Sequence, residues 1–102
     1  MSRYKEPTYT PYVRHAMRFY SRYPHLKEFK SEIDKANWFA CHRAIQEYSS
    51  DDKDILLYVY CERDTLADNV YNASKARCIY QDIVWEMIRE FERKVAIERG
   101  LI

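Results

Sequence analysis

Apolar residues recur along this chain at intervals of three and four, and that spacing predicts helices almost from end to end. Val13, Met17 and Tyr20, with Ala16 beside them, share one face of a helix over 11–22. Thr10 before Pro11 supplies a start signal, an N-cap followed by proline in the first turn, and Pro24 marks the end. After a connector over 23–30, Ser31 and Asp34 stand at capping spacing, and Trp38, Cys41, Ile45 and Tyr48 step by three and four along a helix over 32–48, flanked by Ala44 and Asp34. Trp38 is its expected anchor. Ser49 and Ser50 then cap a helix over 51–60, with Asp51, Asp52 and Asp54 in its first turn and Ile55, Leu56 and Val59 on its buried face. The run 55–60 also has strand propensity, but a cap precedes it and no second strand-like run exists to pair with it. Thr65 and Asp68 open a helix over 66–76 that turns Val70 and Ala73 inward, with Leu66 and Ser74 beside them. A break follows at Cys78, Ile79 and Tyr80. The last helix, over 81–99, carries Val84, Ile88, Phe91 and Val95 on its core line, while Ile83, Trp85 and Met87 widen the apolar arc. Gly100, the only glycine, fits the left-handed position that ends a helix.

The expected fold is therefore all-α: one domain, a small bundle of about five helices, with an extended N-terminal arm over 1–9 and a helix-turn-helix-like unit over 65–99. A chain of 102 residues that is 47% hydrophobic holds enough apolar mass for a packed core. The longest apolar run, 55–61, is too short to span a bilayer, so no membrane partner is expected. Cys41, Cys61 and Cys78 lie far apart and are odd in number. With no evident secretory leader, reduced thiols and a cytoplasmic location are expected. Cys41 and His42 have no ligand partners at metal spacing, and the three close aspartates lack the glycine and spaced oxygens of a calcium loop, so no metal or other cofactor is expected.

Charge is unevenly distributed. Residues 1–30 hold seven basic side chains against two acidic ones, and residues 31–102 hold ten against fourteen. Arg14, Arg18 and Arg22, four apart, form a cationic stripe on the first helix, either a solvated face or a contact for phosphates or an acidic partner.

From Asp51 onward the chain resembles the helix-turn-helix of region four of bacterial sigma factors and small phage and conjugative-element regulators of that type. Thr65 and Leu66, the turn Cys78-Ile79-Tyr80, and Val84 occupy the places of that pattern. The resemblance implies a small mobile-element-type DNA-binding or transcription-regulatory protein whose recognition helix opens at Tyr80 and Gln81. Gln81 would pair with adenine, and Tyr80 would touch a thymine methyl or stack. Lys75, Arg77, Arg89 and Arg93 would hold phosphates of double-stranded DNA, and Arg14, Arg18 and Arg22 would grip the backbone from the basic front. Two features depart from the pattern. The turn glycine is replaced by Cys78, which implies a strained or differently built turn. The interval from Thr65 to Cys78 is about one helical turn too long, which implies either a longer first helix or a loop before the turn.

Residues 81–100 hold five acidic side chains against four basic ones, a poor balance for a helix that lies against phosphates. The alternative is a non-enzymatic protein-binding module. Either the wide apolar arc of the helix over 81–99 packs in a homodimer, or the chain is a phage-encoded inhibitor that presents the tyrosines and arginines of residues 4–23 to a host protein such as RNA polymerase or a defence nuclease. No nucleophile–base pair, glycine-rich phosphate loop or metal spacing points to an enzyme.

Overall fold

A computed structural model of the chain describes residues 5–61 and 64–102. It contains α1 (Thr10–Arg22), α2 (Glu32–Ile45), α3 (Ser50–Cys61), α4 (Leu66–Arg77) and α5 (Gln81–Glu98), with no strand among the described residues. The expected all-α bundle is present. Residues 55–60, open to a strand reading by propensity, are helical because Ser49 caps the segment, its hydroxyl accepting from Asp52 N–H at 3.2 Å. Ser31 and Thr65 cap α2 and α4 in the same way, accepting from Asp34 N–H at 3.1 Å and Asp68 N–H at 3.2 Å.

The bounds of α3, α4 and α5 fall within one residue of the sequence expectation, and two boundaries differ from it for a structural reason. Thr10 is not the N-cap of α1 but its first residue, buried, with Tyr9 in the cap position and no side-chain cap. The turn at Thr8 and Tyr9 starts the helix a residue early, and Thr10 N–H donates to Pro7 O at 3.2 Å. The arm expected over 1–9 lies outside the described residues for 1–4, and residues 5–7 have no regular structure. At the other boundary, α2 ends at Ile45 rather than Tyr48. Glu47 and Tyr48 donate back three residues, to Ala44 O and Ile45 O, because the chain must reverse before Ser49 caps α3. Tyr48 is half-buried instead, its ring edge-on to Phe91 at 5.8 Å.

All five helices contribute to one core. α1 packs on α2, α3 and α5, α2 on α5, α3 on α4, and α4 on α5. Val84, Ile88, Phe91 and Val95 line the inner face of α5 as their spacing predicts. Ile83, expected to widen that arc, is about half exposed because it falls roughly a quarter of a turn beyond the edge of the buried stripe. α2 and α5 run antiparallel: Arg99 meets Asn37, Arg43 meets Glu98, Lys94 meets Glu47, and Tyr48 meets Glu90. The α1–α2 end is filled by an aromatic cluster. His42 stacks on Trp38 at 4.7 Å and 16°, Tyr20, Phe29 and Phe39 stand edge-on to the same indole, and Trp38 Nε1 donates to Tyr23 O at 2.8 Å.

Candidate functional site

The turn between α4 and α5 spans Cys78–Tyr80. Cys78 adopts φ 55° and ψ 43°, the left-handed region that a side chain disfavours. Ile79 N–H reaches back to Ser74 O at 3.0 Å, and Cys78 N–H to Lys75 O at 3.4 Å, which is the Schellman pattern. The same pair of bonds closes α5, where Gly100 holds the left-handed position at φ 77°. Cys78 thus does what a glycine ordinarily does, at a steric cost. Cys78→Gly is expected to raise stability by about 1 kcal/mol, read from urea melts, and a loss would show that the thiol packs usefully. The long interval from Thr65 to Cys78 is one continuous helix, α4, with no added loop.

The turn leaves the start of α5 open. Tyr80 is 79% exposed, Gln81 and Asp82 are exposed, and Lys75 and Arg77 end α4 beside them. Lys75 Nζ lies 5.4 Å from the Tyr71 ring centroid. Arg77 shares a depression of about 540 Å³ with Asp51, Asp52, Ile79, Ile83 and Met87. On the other flank of α5, Arg89 lines a depression of about 230 Å³ with Trp85, Arg14 and Glu6. Arg18 and Arg22 lie elsewhere. They are exposed and line an opening of about 260 Å³ between α1 and α2, with His15 and Tyr23. The predicted site residues therefore fall into three groups: Lys75, Arg77, Tyr80 and Gln81 at the turn, Arg14 with Arg89 beside it, and Arg18 with Arg22 at α1–α2.

Arg14, at one end of the cationic stripe, is tied to the core. Its Nε donates to Glu92 Oε2 at 2.9 Å, and Tyr60 OH donates to the same oxygen at 2.7 Å. Glu92 is 3% exposed, in the core face of α5. Burial pulls the Arg14 pKa down, but the hydrogen bond and charge of Glu92 outweigh it and hold the guanidinium above its ordinary value. Burial, then the Glu92 charge, push the Tyr60 phenol well up. This network joins α1, α3 and α5.

Glu92, Asn37 and Asn69 were not singled out by the sequence pattern, yet all three are buried. Asn37 Oδ1 accepts from Tyr12 OH at 2.9 Å and from Arg99 Nε at 2.7 Å. Asn69 Nδ2 donates to Val59 O at 2.9 Å and ties α4 to α3. A signal existed for each, since Glu92 lies four residues after Ile88, Asn37 four before Cys41, and Asn69 four before Ala73. A polar residue in register with a core stripe is either buried and bonded or an error of register. His42, which had no partner at ligand spacing in the sequence, has one in space, its Nδ1 lying 2.8 Å from Tyr20 OH.

Burial raises the Cys41 thiol and the Tyr20 phenol to about 12. Cys41 should therefore resist an aromatic disulfide reagent at mild alkaline pH while exposed Cys61 and Cys78 react, and three fast thiols in the native protein would contradict the buried site. The folded chain keeps these two protons up to about pH 12, whereas the unfolded chain releases them near the ordinary values of 9.0 and 10.0. Their contribution to stability is thus complete below about pH 9 and is lost as pH climbs from there toward 12.

Among the described residues no helix is long and apolar enough to cross a membrane, and no group of three or more His, Cys, Asp or Glu is placed to hold a metal ion. Compared with protein-family models, curated proteins and solved structures, the chain matches none.

Proposed function

We propose that the chain is a small DNA-binding, transcription-regulatory protein that presents the α4–α5 corner to a duplex as a helix-turn-helix. The observation that carries this reading is the left-handed residue at Cys78, in the place where the sigma-type pattern has its turn glycine. It gives a three-residue turn with Tyr80 and Gln81 open at the start of the second helix. Lys75 and Arg77 supply phosphate contacts at the same corner. Asp82 in the first turn of α5 and Glu86 in the second are exposed and oppose phosphate, so on this reading the backbone contacts at the corner fall to Lys75 and Arg77.

The test is a titration of random-sequence duplex beginning at ~50 mM salt. Wild type should bind, and the double variant Lys75→Gln, Arg77→Gln should weaken binding and flatten the salt slope by about 2. Gln81→Ala should instead change sequence preference. No binding at low salt overturns the reading.

A protein-binding role is favoured by a different observation. Tyr80 and Ile83 are 79% and 49% exposed, next to half-buried Ile79 and Met87, which is more apolar surface than a phosphate contact needs. On this reading the corner docks on a host protein, such as RNA polymerase or a defence nuclease, or on a second copy. Ile83→Asp would then abolish co-purification or dimerisation in a protein that shifts no duplex.

A further inference from the structure

A cleft lies between α1, the connector and the start of α2. Its two parts, openings of about 260 Å³ and about 490 Å³, share Phe19, Tyr23 and Asp34, so they are continuous and offer the space of an ordinary small-molecule cleft. Arg18 and Arg22 line the first part, while Lys30 and Glu28 offset each other at the second. Neither arginine has an ion pair or side-chain hydrogen bond among the described residues. Nor does the half-buried Asp34 carboxylate, since only the Asp34 backbone N–H is used, in the Ser31 cap. Two cations and an anion thus line one opening without neutralising one another, because the cleft keeps them apart. Tyr23 is fixed beside them. Its N–H donates to Phe19 O and Tyr20 O at 3.3 and 3.1 Å, its carbonyl accepts from Trp38 Nε1 at 2.8 Å, and its ring leans on Phe19 at 5.7 Å. The side chain is nonetheless 52% exposed. A fixed, open ring loses little freedom when another ring stacks on it.

We infer that this cleft is a nucleotide-binding site. Arg18 and Arg22, four residues apart on α1, take the phosphate. The base stacks on Tyr23, and Asp34 accepts from N–H donors on the base edge. A phosphate suits two free guanidiniums better than a carboxylate does, because it carries more charge and more acceptor oxygens. The carboxylate selects the base. Guanine presents two adjacent N–H donors, which two carboxylate oxygens accept together, whereas uracil flanks its one N–H with carbonyls that a carboxylate repels. Guanosine 5′-monophosphate is therefore the preferred ligand. A free nucleotide and an unpaired nucleotide of a single strand offer the same chemistry. The inference goes beyond the corner reading and does not depend on it. Asn37, which lines the cleft, accepts from Arg99 just past α5, whereas Tyr80 and Gln81 stand at the other end of that helix, roughly 28 Å along its axis.

The test titrates the ¹⁵N-labelled full chain with guanosine monophosphate, uridine monophosphate, guanosine and inorganic phosphate. The amide signals of Tyr23 and Asp34 are followed, with Tyr80 and Gln81 as controls. Guanosine monophosphate should move Tyr23 and Asp34 saturably, leave the controls in place, and bind several-fold more tightly than the other three. Arg22→Gln should weaken it about tenfold and leave guanosine unchanged. Tyr23→Ala should also weaken it about tenfold, and Tyr23→Phe should not. Asp34→Asn should erase most of the preference for guanine over uracil. Arg22 and Tyr23 are exposed and the Asp34 carboxylate has no part in the Ser31 cap, so the fold should survive each change, which unfolding curves would verify. A short strand of thymidines with one guanine separates the sources. If it binds more tightly than the mononucleotide and weakens with Arg22→Gln, the source is a strand. If the mononucleotide alone binds, the source is free nucleotide, and either result upholds the site. Unmoved Tyr23 and Asp34 signals, equal affinity for guanosine monophosphate and phosphate, or indifference to Arg22→Gln overturns the inference. Nucleotide bound in the cleft by a protein that shifts no duplex upholds the site while the DNA-binding reading falls. Duplex bound at the corner with the cleft silent does the reverse.

Discussion

Replacing Arg14 with methionine is expected to remove about 3 kcal/mol of stability, because it leaves the Glu92 carboxylate buried without its counter-charge. The figure is at the low end for a broken buried pair, since the Arg14 side chain is itself 27% exposed and water can approach one side of it. Tyr60 would still donate to Glu92, but a single neutral hydrogen bond does not replace a guanidinium. The triple variant Arg14→Met, Glu92→Met, Tyr60→Phe should recover most of the loss, because well-packed apolar groups replace a buried ion pair at little net cost. Urea melts of the single and triple variants check both statements. A single variant within ~0.5 kcal/mol of wild type would mean that Glu92 is hydrated or paired elsewhere. The same result bears on function. The loss of affinity in any Arg14 variant would first have to be separated from a loss of folded protein, so Arg89, Lys75 and Arg77 are the better probes of binding.

Trp38→Ala should cost about 3–5 kcal/mol, a large fraction of what a domain of this size has. Trp38 is 6% exposed, and four rings pack on it: His42 stacked at 4.7 Å, and Phe39, Tyr20 and Phe29 edge-on at 5.1, 5.2 and 5.7 Å. These come from α1, α2 and the connector, so truncation opens a cavity where three segments meet and none can close it alone. Loss of the indole N–H also leaves Tyr23 O without its donor. Trp38→Phe separates the two effects. It keeps most of the packing and should cost only about 1–2 kcal/mol. Equal losses in both variants would assign the effect to the hydrogen bond. A loss below ~1 kcal/mol for Trp38→Ala would show that the cluster is not part of the cooperative core.

The candidate site was legible in unequal parts. Tyr80 and Gln81 could be located because they follow a break in the pattern and open a new helix; their exposure was not legible, since Thr10 in the same place on α1 is buried. The role of Cys78 was harder to read, since nothing in a cysteine signals a positive φ. The turn is held by bonds to Ser74 O and Lys75 O, and these depend on the course of the backbone rather than on the side chain. The arginine stripe divides in space. Arg14, Arg18 and Arg22 share a face of α1, but that face crosses from α5 to α2. One end therefore meets a buried carboxylate while the other opens beside Asp34 and Asn37. Spacing within one helix reports which residues share a face, and it is silent on what that face meets.

By itself the amino-acid order determined the local structure: five helices, three hydroxyl caps, the glycine stop after α5, and most of the core positions. Each follows from interactions between residues within about four positions of one another, so each is written into consecutive sequence. Tertiary structure alone decided that Glu92 is a buried partner of Arg14, that Asn37 joins Tyr12 to Arg99, that His42 meets the Tyr20 hydroxyl, and that the cations are split among three places. These pairs lie 22 to 78 residues apart. Their formation depends on the angles and registers at which the helices cross, which are set by the packing of the whole core at once.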